Sequence, residues 1–345
     1  MKCLNYIFVI LVIFFKTGNV LSSESIFNVN NIEVKDDNAN NHKQLANQAI
    51  KEAYSKLINR ILLEKDREKL LQINFSEVSQ LVSYYKVSSK KKDGNFIKIF
   101  NISFDKEKLH DQFYKLNISY SDILKKELYI LPILKKKDKY FIYNQNIFYE
   151  NWNKFSSEEL IEFILPIENI EIIEKINLKN NYFFDLNLSE IFKEYSDKNL
   201  ALILIEDSNK NDFKIFIRTK IMGKNISRNL LVKKTQTKIE FYKEVVTAVN
   251  KELINIIKSQ NLVDIKTPSF LNTKLILGKK NNLVELNYRL KKIDLIENIY
   301  VQELNNNYVS LKIKYLGKLD KMIKQLKDQN ITLALKKDVW NLNIK

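Results

Sequence analysis

Two histidines (His42 and His110), one cysteine (Cys3) and five glycines are the raw material for the commoner site chemistries in this chain of 345 residues. A zinc site takes three or four Cys, His or carboxylate ligands at set spacings, and neither histidine has a second ligand placed that way. Each lies on a predicted helix or at its start, among polar and charged neighbours, and both read as surface histidines. No G-x-S-x-G presents a nucleophilic serine. Gly18, Gly94, Gly223, Gly278 and Gly317 never cluster, which removes the P-loop and the dinucleotide fingerprint. The stretch Asp207–Asp212, "DSNKND", spaces Asp207, Asn209 and Asn211 like a calcium loop. However, Asp212 stands where that loop needs glycine, and Arg218 where it needs the bidentate acid. A polar hairpin turn is the expected reading. The acid pairs Asp36-Asp37 and Glu158-Glu159 read as solvated surface, and no catalytic residue, metal or cofactor is assigned.

The densest unusual feature is aromatic. Tyr140, Phe141, Tyr143, Phe148, Tyr149, Trp152 and Phe155 follow Lys135, Lys136, Lys137 and Lys139. Such a mixture could stack bases, clamp a sugar or hold a partner peptide. Aromatics are chiefly core and interface residues, so a packed seam is the favoured alternative. The candidate interaction or marker residues are Tyr143, Asn146, Phe148 and Trp152, with Pro132 and Pro166 in the two recurring "ILPI/FILPI" strands.

These residues need elements to hold them and an address at which to act. Ile7 to Phe15 is an uninterrupted apolar run behind Lys2, followed by a more polar tail with compact residues at Val20 and Ser22. This is a secretory pattern with cleavage expected after Ser22. An uncleaved inner-membrane anchor is the alternative. Cys3 lies before the apolar run, not after it as a lipid anchor would, and leaves with the signal. The mature chain then has no thiol for disulfides or thiolate chemistry. The net charge of +16 becomes +14 without Lys2 and Lys16. Only Arg60, Arg67, Arg218, Arg228 and Arg289 are arginines. The excess is therefore lysine, in a composition also rich in asparagine, isoleucine and phenylalanine. Phosphate and base readers favour the arginine fork, so nucleic acid is not an expected partner.

The periodicity predicts an α+β protein of three small modules behind a signal peptide (1–22) and a polar lead-in (23–41). A helix-hairpin-helix unit covers 42–120. Its first helix repeats Leu45, Ala49, Ala53, Leu57 and Ile61 every four residues. Its hairpin turns at Asp93-Gly94, and its last helix is Lys106 to Leu116. A central α/β sandwich-like domain covers 121–262. It opens with the Glu127–Leu134 strand and closes with a helix over Lys238–Ile257. Beyond Thr267-Pro268, residues 268–345 read β-α-β-β-α-β, a ferredoxin-like order.

The aromatic segment also carries a family resemblance. Ile142 to Trp152 resembles the "LW-x-x-N-P-W-x-x-A-W" segment of the uncharacterised bacterial family called domain of unknown function 2066. In that family the segment follows an alanine-rich helix, a hairpin and a "vLPv" strand. Asn146 and Trp152 match it; Tyr143 and Phe148 replace tryptophans; Ile147 and Asn151 depart. "LPIEN" at Leu165 to Asn169 keeps Pro166 but lacks the glycine and acid of the family's "vPlgD". The middle region is similar in element order to the TolB amino-terminal domain. The resemblance implies a secreted or periplasmic setting and no established activity. The expected role is non-catalytic binding or assembly in the cell envelope, with a protein partner. A hydrolase of an envelope polymer, and polyanion or anionic-lipid binding through lysine-rich surfaces, stand as alternatives.

Overall fold

The computed structural model describes residues 25–35, 41–92, 95–123, 126–137, 139–156, 160–178, 187–207, 212–233, 238–278, 282–336 and 339–344. The signal segment, the Asp93-Gly94 turn, both acid pairs and the centre of "DSNKND" lie outside the described residues. The chain is α+β and falls into two compact units. The first takes residues up to Leu57, Ile73–Asn117 and those from Asp264 on; the second takes Ile58–Gln72 and Ile118–Val263.

The first unit contains two sheets. Strands β1 (Asn28–Lys35), β2 (Val82–Lys92) and β3 (Asn95–Phe104) pair antiparallel in the order β1-β3-β2. Ile32, Phe100, Ile102 and Phe104 are buried, as are Leu45, Ala49 and Ala53 of helix α1 (His42–Ile61). Tyr54 of α1 meets the Phe104 ring at 6.0 Å. Short helices α2 (Glu64–Leu71), which belongs to the second unit, and α3 (Phe75–Gln80) follow α1, and Asn74 caps α3 by accepting the Glu77 amide. Helix α4 (Lys106–Leu116) matches its predicted bounds for a local reason. The Asp105 carboxylate accepts from the Glu107 and Lys108 amides, and Asn117 ends the helix in the left-handed region. Strand β1 occupies part of what reads as polar lead-in. A bulge between Val29 and Ile32, with Asn31 at φ 60°, breaks the alternation that would reveal it.

The same unit holds β12 (Ser269–Ile276), α9 (Leu283–Leu290), β13 (Ile296–Leu304), β14 (Tyr308–Tyr315), α10 (Leu319–Asp328), β15 (Ile331–Lys336) and β16 (Val339–Ile344). The β-α-β-β-α-β order is present, followed by a further strand. That strand, β16, lies parallel to β12 and separates it from β15, so the sheet runs β13-β14-β12-β16-β15. Leu286, Leu290, Met322 and Leu326 of the two helices are buried, as are Val309, Leu311 and Ile313 on one side of β14. The sequence reading separates these residues from the lead-in and from the helix-hairpin-helix unit, whereas direct bonds link them to both. Asp294 accepts from the Ser25 hydroxyl and the Ile26 amide, and the Lys106 ammonium reaches the Ile296 carbonyl at 2.6 Å.

The second unit is built on a six-stranded sheet of β5 (Lys126–Lys136), β6 (Lys139–Phe141), β7 (Ile161–Ile164), β8 (Leu200–Asp207), β9 (Asp212–Ile221) and β10 (Lys224–Lys233). Strands β5 and β8 are parallel and apolar on both faces, as central strands between two helical layers must be. One face packs Ile130, Ile203 and Ile217 with α5 (Ile147–Phe155) and α8 (Lys238–Gln260). The other packs Leu131, Ile133 and Leu202 with α6 (Ile170–Leu178) and α7 (Leu188–Ile191). A two-stranded pair, β4 (Tyr120–Ser121) with β11 (Leu262–Val263), completes the unit. Among the described residues, no helix is long and apolar enough to cross a membrane.

Candidate binding site

Pro132 explains the seam that the aromatic segment forms. It sits in mid-β5, paired with Ile203 of β8. On the other edge of β5, β7 pairs with Lys126–Tyr129 and β6 with Leu134–Lys136, which leaves a gap of four residues, 130–133. A residue's N–H and C=O leave a strand on the same side, and the Pro132 carbonyl points into this gap. The missing amide proton of proline therefore falls where no ladder bond is needed. Asn146 fills the gap. Fully buried, it donates from Nδ2 to the Pro132 oxygen at 2.8 Å and accepts the Phe148 amide at 3.0 Å, capping α5.

The cap directs α5 onto the sheet. Phe148 and Trp152 are 0% exposed and sit one turn apart in the core. Phe148 meets Tyr242 edge-on at 5.2 Å, and Trp152 meets Phe163 at 6.1 Å. Tyr143, at φ 52°, packs on the opposite face, with Tyr149 edge-on at 5.2 Å. Burial pushes the Tyr143 phenol up to about 12, with the Asn169 backbone pulling the other way. The Tyr149 hydroxyl donates to the Pro166 carbonyl at 2.6 Å. The structure thus places Phe148 and Trp152 in the core on one face of the sheet and Tyr143 in the core on the other, with Asn146 joining the segment to Pro132 and Tyr149 tying it to Pro166.

Next to this seam is an open groove that the sequence did not single out. Its volume is about 440 Å³, and its walls include Pro166, Ile172, Phe192 and Tyr195. Tyr195 stacks on Tyr129 at 4.5 Å. Ile167, which lines it, is 80% exposed, and Ile170, three residues on, is 73% exposed. Glu171, Glu190, Glu194 and Lys193 stand around it, so acids outnumber bases locally. The exposed isoleucines are a signal available in "LPIENI", but only the fold shows that they do not enter the core.

In the first unit, His110 is 4% exposed, which corrects the surface reading. Its Nδ1 lies 2.6 Å from the Glu297 carboxylate, and Phe27 packs against the ring. The partner lies 187 residues away, beyond any local signal. Hydrogen bonding to His110 holds the Glu297 carboxyl below its usual range. Burial raises Asp294 against the opposing bonds from Ser25 and Ile26. Among the described residues, no group of three or more His, Cys, Asp or Glu side chains is placed to hold a metal.

No family model matches the chain, and no curated protein matches it. Among solved structures, one described as "Crystal structure of uncharacterized protein" is 9% identical and covers 40% of this chain and 93% of its own. Its TM-score is 0.18, too low to carry an argument about fold or function.

Proposed function

We propose that the protein is a non-catalytic binding or assembly factor of the cell envelope, exported to the periplasm behind a cleaved signal. In this reading, the groove of the second unit takes a segment of a protein partner. The observation that supports it is Ile167, a large apolar side chain facing water on the wall of a cavity, with exposed Ile170 three residues further along the chain. Exposed apolar residues beside a concavity favour binding surfaces. The apolar floor and the acids Glu171, Glu190 and Glu194 suit a segment with an apolar anchor and a basic side chain. The likeness to the domain of unknown function 2066 family, and in element order to the TolB amino-terminal domain, belongs to the same proposal. It supports an envelope setting without transferring an activity.

The test is site-specific photo-crosslinking in cells, with the reactive residue placed at Ile167 and, as a control, at exposed Lys324 on α10. The expected result is a discrete adduct at Ile167 only, lost when Glu171 and Glu190 are changed to lysine. Equal labelling at both positions would overturn the groove. Turnover of an envelope polymer by the purified chain would replace the reading with a hydrolase.

A further inference from the structure

Along β14 every second residue is buried, and along β12 every second residue from Leu271 to Leu275 is. The positions between them are exposed or half-buried and make a second, open face of the sheet. On that face Phe270, Asn272, Lys274 and Ile276 of β12 stand opposite Lys314, Lys312, Ser310 and Tyr308 of β14. Tyr300 of β13 flanks Lys312 on its other side, and Asn341 of β16 flanks Lys274. Phe270 and Tyr300 are 51% and 45% exposed.

Two of the rings hold lysines in place. The Lys274 ammonium lies 3.3 Å from the centroid of the Tyr308 ring, and the Lys312 ammonium 4.6 Å from that of Phe270. A ring under an ammonium fixes its position without neutralising it. Lys274 and Lys312 are diagonal neighbours on the ladder, a separation of about 7–8 Å. Among the described residues neither has an acid partner, and the outward positions of β12, β14 and β16 carry no acid. The carboxylates on β13 are already engaged, Glu303 with the Tyr308 hydroxyl and Glu297 with His110 and, at 4.0 Å, Lys314. Two uncompensated ammoniums this close repel, and an anion placed between them removes that cost.

The neutral groups narrow the class of anion. Asn298 accepts the Ile299 amide with Oδ1, which leaves its Nδ2 to donate. Asn341 donates from Nδ2 to the Val339 carbonyl, which leaves its Oδ1 to accept. A phosphodiester backbone offers only acceptors, whereas sugar hydroxyls both donate and accept. A stacked base needs a bare ring face, and lysines lie over two of the three rings here. Tyr300 has no lysine over it among the described residues, and one ring is enough to meet the apolar C–H face of a sugar.

We propose that this open sheet face binds an acidic polysaccharide. Lys274 and Lys312 take its carboxylates, Asn298 and Asn341 its hydroxyls, and Tyr300 the C–H face of a sugar ring. The surface shares no residue with the groove of the second unit, and either can fail without the other.

The experiment is calorimetric titration of the chain from Ser23 onward with polygalacturonate, with its uncharged methyl ester and with polyuridylate. Polygalacturonate is expected to bind, and the ester to bind at least about tenfold more weakly. The double variant Lys274→Gln with Lys312→Gln should weaken polygalacturonate at least about tenfold. The charge-matched pair Lys324→Gln with Lys327→Gln, exposed on α10, should change it less than about twofold. Tyr300→Ser should weaken polygalacturonate while leaving its salt dependence in place. No binding of polygalacturonate, equal binding of the ester, or an equal loss in the α10 pair would overturn the proposal. So would affinity unchanged in either variant of the sheet face, or tighter binding of polyuridylate.

Discussion

The Asn146 side chain makes two bonds in opposite directions: Nδ2 donates to the carbonyl of Pro132, and Oδ1 accepts the Phe148 amide. One residue thereby closes a gap in the sheet edge and starts the helix that packs on it. Asn146→Ala removes an N-cap, worth about 1 kcal/mol. It also leaves the Pro132 carbonyl unpaired, at about 1–3 kcal/mol more. A loss of roughly 2–4 kcal/mol in urea unfolding is expected. Asn146→Asp keeps the cap but cannot donate when ionised. Its deficit should be large at neutral pH and shrink as acid protonates the new carboxyl. Equal deficits at all pH values would show that the Pro132 bond contributes nothing.

Trp152 fills core volume, and its indole nitrogen has no hydrogen-bond partner among the described residues. Trp152→Ala should cost about 3–5 kcal/mol. Trp152→Phe keeps an aromatic ring in contact with Phe163 and loses no bond, so its cost should be clearly smaller. Thermal or urea unfolding of the two variants decides this. If both cost the same, the indole N–H has a role that the packing does not reveal.

Lys258 is 1% exposed, and its ammonium donates to the carbonyls of Asn59 and Leu62 at the end of α1. A cation there satisfies helix-terminal carbonyls that are out of reach of water. Lys258→Met should therefore destabilise by roughly 2–4 kcal/mol. Lys251 is the contrast. It pairs with Glu64 on the surface, and Lys251→Ala should cost less than about 1 kcal/mol. Similar costs for the two variants, measured by denaturant midpoint, would refute the distinction.

Acid stability should carry two opposite contributions from the first unit. Glu297 is depressed in the folded chain, so its stabilisation is present above its unfolded pKa and is lost as pH falls through the folded value. Asp294 is raised, so its contribution is present below its unfolded pKa and is lost as pH rises through the folded value. A urea-midpoint profile across about pH 3 to 7 should show Glu297→Gln losing less stability than wild type on acidification. Asp294→Asn should lose less on the rising side. Parallel profiles for all three proteins would show that neither carboxyl is coupled to folding.

Elements with an unbroken period were legible in the sequence: the four-residue repeat of α1, the hairpin flanks of β2 and β3, α4 and the long α8. Their residues carry the signal because every turn or pleat meets the same core. Strand β1 was hidden by its bulge. Helix α5 was hidden because its nine residues were dominated by aromatics that suit a strand equally well. Strand β16 follows the expected last strand, and its insertion beside β12 is a choice of pairing that local pattern cannot express.

The sequence by itself determined the α+β class, since that rests on composition and short-range spacing, and it singled out the Pro132–Trp152 segment by its aromatic density. Only the tertiary structure decided what that segment does. Its aromatics lie on opposite faces of one sheet, and Asn146 joins them to a proline edge 14 residues upstream. It also decided that His110 is buried against Glu297, that Lys258 caps a distant helix, and that Ile167 and Ile170 face water. Burial and pairing between residues far apart in the chain depend on where whole elements pack, and the period of any one element does not encode that placement.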